Sequence, residues 1–393
     1  GLRVLGVAKA AFPQDPLPAL QHDFVFTFLG LIGLSDPLRA SVPAAIAEAQ
    51  AAGIRVVMVT GDYQATALRI ATQAGLETTG GAISGQELDR LSDDALGPRA
   101  SSANIFSRVT PEQKLRLVNA LKARREIVAM TGDGVNDAPA LKAAHIGIAM
   151  GNRGTDVARE AAALVLLDDD FSSIVQAVRL GRRIFDNLRK AIVFVVAVHV
   201  PIVGMSVIPV ALGWPLALMP VHILFLQLII DPACSIVFEA EPEEAGIMKR
   251  PPRSPAASLF GWPTLAPGFL QGILLLSIVA AMYGLVLQQG KPVEEARALA
   301  FTTLVVANLG LIFAGRIRSG NLLDALAMRN PALWWVCGLA LLFLALVLGL
   351  APLRALFHFE RLHWNDIALC LLASFVYFGI VLGAKRMLPG SLV

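Results

Sequence analysis

Three short stretches hold the residues with the clearest chemical potential. Val59-Thr60-Gly61-Asp62 follows one apolar run, and Thr131-Gly132-Asp133-Gly134-Val135-Asn136-Asp137 follows another. Between them, Thr110-Pro111-Glu112-Gln113-Lys114 reads as a strand end turning into a helix. The hydroxyl and unobstructed backbone N–H groups of a Thr-Gly pair can cradle phosphoryl oxygens. An Asp beside them can hold Mg²⁺ through its carboxylate. A lysine close by can neutralise the charge of a phosphoaspartate or of its transition state. One Thr-Gly-Asp alone is an ordinary strand-ending turn. Two of them, one extended to seven residues, together with a helix-opening lysine, point to phosphoryl chemistry.

The elements that must position these residues can be read from periodicity. Strand-like runs at 24–33, 54–61, 104–109, 126–132, 146–151 and 163–168 alternate with helix-like stretches at 41–52, 64–75, 111–124, 136–144 and 155–161. Such alternation predicts an α/β domain with a largely parallel sheet. Both acid-bearing turns fall at carboxyl ends of strands, where sites in these sheets form.

The rest of the chain has another character. Of 393 residues, 55% are hydrophobic and 16% charged, which excludes a disordered chain and argues against a purely soluble one. Residues 1–190 hold 41 of the 63 charged residues. A net charge of +3 is too small to imply nucleic-acid binding. Cys234, Cys337 and Cys370 all lie in apolar stretches without a CxxC and read as buried small hydrophobes. Six apolar runs follow, at about 191–213, 215–238, 265–287, 298–315, 332–353 and 365–384. Each is near the ~20 residues that cross a bilayer. Lys and Arg flanking them divide 13 against 4, which predicts residues 1–190 and the C-terminus on the cytoplasmic side. Ionisable residues at membrane depth are costly and read first as functional. Asp231 is the one acid deep in a span, and Gln227 lies one helical turn before it. Pro201 and Pro232 free carbonyls that could take a cation. Asn308 is a further candidate; His199 and His222 read equally as transport or as packing residues, and Asp366 as a helix cap.

With those residues in view, a resemblance emerges. TGDGVNDAPALKAAHIGIAMG at 131–151 resembles the hinge motif of P-type cation-transporting ATPases of the haloacid dehalogenase superfamily. DPLR at 36–39, MVTGD at 58–62, RVTPEQK at 108–114, DNLRKAI at 186–192 and IMKRPPR at 247–253 resemble further motifs of type II pumps. The resemblance implies a Rossmann-like α/β phosphorylation domain of the haloacid dehalogenase type, followed by an α-helical six-span membrane domain. It divides the chain into the end of a nucleotide-binding domain (1–23), the phosphorylation domain (24–178), a stalk (179–190) and the membrane domain (191–393). It further implies ATP and Mg²⁺ as cofactors, a transported cation and the lipid bilayer as partners, and a bacterial plasma membrane as location. Asp133 would hold Mg²⁺ with Asp137, supported by Gly132, Gly134 and Asn136. Lys114, Thr60 and Gly61 would contact the phosphoryl group. Asp62 would orient the nucleotide or Mg²⁺ region, and Asp36 and Arg39 would meet the nucleotide.

The sequence departs from the family in two places. It contains neither Asp-Lys-Thr-Gly-Thr, which carries the phosphorylated aspartate, nor Thr-Gly-Glu. The expectation is a C-terminal fragment, missing the N-terminal part of the pump and inactive alone. The calcium pattern also changes: its positions hold His199, Ile202, Gln227, Ile230, Asp231 and Asn308, with one charge among them. Ca²⁺ takes six to eight oxygens, so a monovalent cation, a proton or a differently coordinated metal is expected instead. The alternatives are a non-catalytic truncated membrane partner of a full pump and a membrane-anchored phosphatase of the same superfamily.

Overall fold

The computed structural model describes residues 3–11, 20–34, 37–255, 258–316 and 330–387. The chain divides into two compact units, Gly1–Arg179 with Gly246–Pro255, and Leu180–Ala245 with Ala256–Val393.

In the first unit, β1 (Arg3–Ala10) and β2 (Phe26–Leu34) form an antiparallel ribbon with a bulge between Val7 and Ala8. The 24–33 run was expected to join the α/β alternation; it pairs instead with the strand before it. Two parallel sheets follow. In the first, the order is β3 (Met58–Val59), β5 (Ile105–Ser107), β4 (Ala82–Ser84). In the second it is β6 (Ala129–Gly132), β7 (Ile146–Met150), β8 (Leu164–Leu166). Thus β3 and β6, which lead into the two Thr-Gly-Asp turns, are both edge strands.

Helices α1 (Val42–Ala51), α2 (Gln64–Gln73), α3 (Gly85–Arg90), α4 (Asp93–Ser102), α5 (Pro111–Ala123), α6 (Ala138–Ala143) and α7 (Asp156–Ala161) connect the strands. Side-chain caps start α3, α4, α5 and α7. Thr110 and Gln113 close a capping box on α5, with Pro111 at the first helical position; such caps contribute about 1 kcal/mol. Neither α3 nor α4 was anticipated. α3 has only six residues, and α4 carries Gly97-Pro98 inside it. Burial of Leu88, Leu96 and Ala100 against Phe106 and Leu117 overrides those breakers.

α8 runs without a break from Phe171 to Ala211, so the expected stalk and first span are one helix. The second unit adds α9 (Pro220–Pro232), α10 (Trp262–Gln288), α11 (Val293–Arg316), α12 (Pro331–Gly349), α13 (Ala351–Leu356) and α14 (Trp364–Met387). After Pro232, α9 continues as a π-helical stretch, Ala233–Phe238, a common form at functional sites. Six of the helices are long and apolar enough to cross a membrane. Of these α11 is the most enclosed by the others. Close packing needs glycine on α10: a Cβ on Gly272 would lie 2.6 Å from Val200 Cβ and 2.8 Å from the Ala197 carbonyl of α8.

Candidate functional site

Each Thr-Gly-Asp turn is held by its own hydrogen bonds. Thr60 N–H donates to the Phe106 carbonyl at 2.9 Å, continuing the sheet past β3. Its Oγ1 accepts from Asp62 N–H at 3.1 Å and donates to Asp62 Oδ2 at 3.0 Å. A Cβ on Gly61 would meet no atom within 4 Å. No protein contact therefore demands a glycine there. In the second turn the glycine is required by packing: a Cβ on Gly132 would lie 2.6 Å from Asp137 Cβ.

One segment bridges the two turns. Val109 N–H donates to the Thr60 carbonyl at 3.1 Å, and Arg108 N–H donates to that of Asp62 at 3.1 Å. Thr110 then caps α5, and from the first turn of α5 Lys114 Nζ reaches Asp137 Oδ1 at 2.6 Å. So residues 108–114 contact the Thr60–Asp62 turn at one end and Asp137 at the other. Asp137 is buried and accepts from both Lys114 and, at 3.4 Å, Gly134 N–H. Asp133 and Asn136 are exposed at the rim. An exposed carboxylate beside a Thr-Gly cradle fits Mg²⁺, which keeps several waters and takes one or two carboxylates plus phosphate oxygens. The engaged Asp137 fits a holder of Lys114 better than a metal ligand.

Arg39 lies elsewhere in the same unit. Its guanidinium donates to the Asp169 carbonyl, and Ser41 Oγ donates to both oxygens of Asp170 at 3.0 Å. Asp36 and the side chain of Cys234 lie outside the described residues. The acidic turn 168–170 has depressed pKa values. For Asp168 the cause is chiefly the Ser173 hydroxyl, and for Asp170 the Ser172 N–H and then the Ser41 hydroxyl. For Asp169, burial pushes upward, but the N–H groups of Asn152 and Arg153 outweigh it.

In the membrane helices, His199 Nδ1 bonds the Val195 carbonyl at 2.8 Å. That makes Nδ1 the donor and leaves Nε2 to accept from Gln227 Nε2 at 3.2 Å. Asp231 is exposed on α9, and its carbonyl accepts from Ser235 Oγ at 2.7 Å. Asn308 is buried on α11, with neither side-chain polar atom bonded among the described residues. His222 is structural: it accepts from Met219 N–H at the start of α9, bonds the Phe357 carbonyl at 2.7 Å and stacks on Phe359. Asp366 accepts from His363 N–H at 2.9 Å, as a helix cap does, and from Lys291 Nζ at 3.1 Å.

A buried network went unread in the sequence. Arg316 Nε donates to Glu241 Oε1 at 2.9 Å, Asn330 Nδ2 donates to Oε2 at 3.0 Å, and Asn187 Nδ2 donates to the Glu241 carbonyl at 2.9 Å. All four residues are buried. Glu241 stands in an acidic loop, and only tertiary structure distinguishes it from its exposed neighbour Glu239.

Comparison with known proteins adds to this geometry. Residues 215–387 match the family described as "Cation transporting ATPase, C-terminus". Residues 8–145 and 114–178 match "haloacid dehalogenase-like hydrolase" families. A calcium-transporting ATPase of Bacillus subtilis is 35% identical over 98% of this chain and 44% of its own length. A probable cation-transporting ATPase F of Mycobacterium bovis is 40% identical over 80% of the chain and 36% of its own length. For calcium-transporting ATPase 1 of Saccharomyces cerevisiae the figures are 35%, 95% and 40%. The chain thus spans less than half the length of these curated relatives.

Proposed function

We infer the function from one premise: the chain belongs to the cation-transporting ATPase family, with a haloacid dehalogenase-like hydrolase region preceding the transporter C-terminus. It is part of an ATP-driven cation pump that works through an aspartyl-phosphate. Two Thr-Gly-Asp turns bridged by one helix end carry this reading, with Val109 on Thr60 and Lys114 on Asp137. Both turns follow edge strands of separate parallel sheets. One strand bearing the aspartyl nucleophile, inserted between β3 and β6, would pair with both open edges and set that aspartate between the turns.

Phosphoryl transfer asks mainly for positioning and charge neutralisation. Thr60 Oγ1 and the Gly61 N–H would bind phosphoryl oxygens, and Lys114, aimed by Asp137, would offset their charge. Asp133 would hold Mg²⁺, which supplies charge stabilisation where the phosphoryl oxygens gather. In the membrane, His199, Gln227, Asp231 and Asn308 would take the cation. One carboxylate among these four side chains suits a monovalent ion, a proton or a differently coordinated metal better than Ca²⁺. Residues 1–190 would face the cytoplasm.

The test is phosphoenzyme formation from labelled ATP in the full-length protein. Asp133→Asn removes an anionic Mg²⁺ ligand and is expected to abolish the phosphoenzyme. Normal phosphorylation in that variant would reduce Asp133 to a turn residue and overturn the reading.

A further inference from the structure

Asp169 has an unusual combination of properties. It is 8% exposed and has φ of +53°, a left-handed conformation that few non-glycine residues adopt. Such strain persists only where surrounding contacts fix it. Here they are visible. Its Oδ1 accepts from Asn152 N–H at 3.0 Å and its Oδ2 from Arg153 N–H at 3.0 Å, while its carbonyl accepts from Arg39. The carboxylate therefore clasps the turn that leaves β7.

That turn is locked from other sides too. Gly151 N–H donates to the Leu166 carbonyl at 2.8 Å, and Arg159 donates to the carbonyls of Gly151 and Gly154 at 2.7 and 2.9 Å. Its last residue, Thr155, caps α7 through its hydroxyl and donates its own N–H to the Asp133 carbonyl at 2.9 Å. Asp133 otherwise stands exposed at the rim of the phosphoryl site.

We propose that Asp169 is a positioning residue for the phosphoryl site: it fixes the turn at residues 151–155, and Thr155 N–H in turn holds the backbone of Asp133 in place for Mg²⁺. This rests on the reading of Asp133 given above. Asp169 lies two residues before α8, the helix that continues into the first membrane span. The same clasp therefore ties the Asp133 backbone to the start of that helix.

The test measures the Mg²⁺ needed for half-maximal phosphorylation of the full-length protein by inorganic phosphate. Asp169→Gly suits the positive φ and removes only the carboxylate. It should raise the Mg²⁺ requirement about tenfold, the scale seen when partners of metal ligands are lost. The maximal phosphoenzyme level at saturating Mg²⁺ should be kept. A merely structural role would lower that level and leave the Mg²⁺ requirement alone. Asp169→Asn tolerates left-handed backbone and keeps one acceptor oxygen, so it should restore part of the Mg²⁺ affinity. Thr155→Pro, at a φ of −71° that suits proline, removes the N–H to Asp133 together with the hydroxyl that caps α7, and should raise the requirement at least as much as Asp169→Gly does. An unchanged requirement in both Asp169→Gly and Thr155→Pro, with Asp133→Asn still inactive, overturns the positioning role alone. Unaltered Mg²⁺ dependence in Asp133→Asn would remove the functional reading and this role together.

Discussion

Asp133 and Asp137 stand four residues apart in one motif, yet their surroundings differ. Asp137 is buried under Gly132 and ion-paired with Lys114, whereas Asp133 is exposed. Asp137→Ala would leave the half-buried Lys114 ammonium without its carboxylate. Losing a hydrogen bond between charged groups should cost the first unit about 2 kcal/mol, read as a lower denaturation midpoint. Lys114→Met with Asp137→Leu should recover stability but not phosphorylation. The 168–170 turn makes a second residue-scale prediction. All three carboxylates are held below their ordinary pKa, so their contribution to stability is complete above about pH 4. It fades as pH falls from there through the depressed folded values. Asp170→Asn should flatten the pH dependence of the unfolding midpoint below pH 4 and leave the slope near pH 7 unchanged. An undiminished acid slope would place the titrating groups elsewhere.

At the scale of elements, α11 concentrates what packing alone does not explain. Asn308 is enclosed there without a bonded partner among the described residues, as is Thr302 Oγ1. Unsatisfied buried polar groups cost about 1–3 kcal/mol, and apolar replacement is often neutral or stabilising. Asn308→Leu should therefore raise the thermal midpoint of the chain in detergent while lowering cation-stimulated phosphorylation in the full-length protein. A lower midpoint would mean that Asn308 serves folding. The end of α11 behaves in the opposite way. Arg316 is buried against Glu241, whose carboxylate also takes Asn330 at the start of α12. Removing one member of a buried pair takes its closest charge from the other, so Glu241→Ala should destabilise the second unit by several kcal/mol, up to about 3–5. Glu241→Met combined with Arg316→Met should recover most of that loss, as a double-mutant cycle would show.

At the scale of the whole molecule, the proposed chemistry needs an aspartyl nucleophile that no Asp-Lys-Thr-Gly-Thr supplies within these 393 residues. The purified chain should therefore show no sustained Mg²⁺-dependent ATP hydrolysis. Steady turnover by the chain alone would require a nucleophile among its own aspartates and favour a phosphatase. Among the described residues β3 and β6 each pair with a strand on one side only. Exposed strand edges are aggregation-prone unless covered, and the apolar residues Ile127, Phe28 and Leu31 are exposed in the same unit.

Much of this was legible in the residues themselves. The helix at 111–123 announces itself through Thr110, Pro111 and Gln113, because capping is a contact between near neighbours. Long apolar runs announce membrane helices, because a bilayer leaves a backbone few alternatives. The seven-residue motif from Thr131 to Asp137 shows its acids and glycines directly in its composition. Other features needed the fold. That Asp137 faces Lys114, that Asp169 clasps residues 152 and 153, and that Glu241 is buried while Glu239 is not all depend on chain segments brought together from afar. Local sequence encodes conformational preference and solvent preference. The partner of a charge is decided only when packing removes water and leaves a specific group within reach.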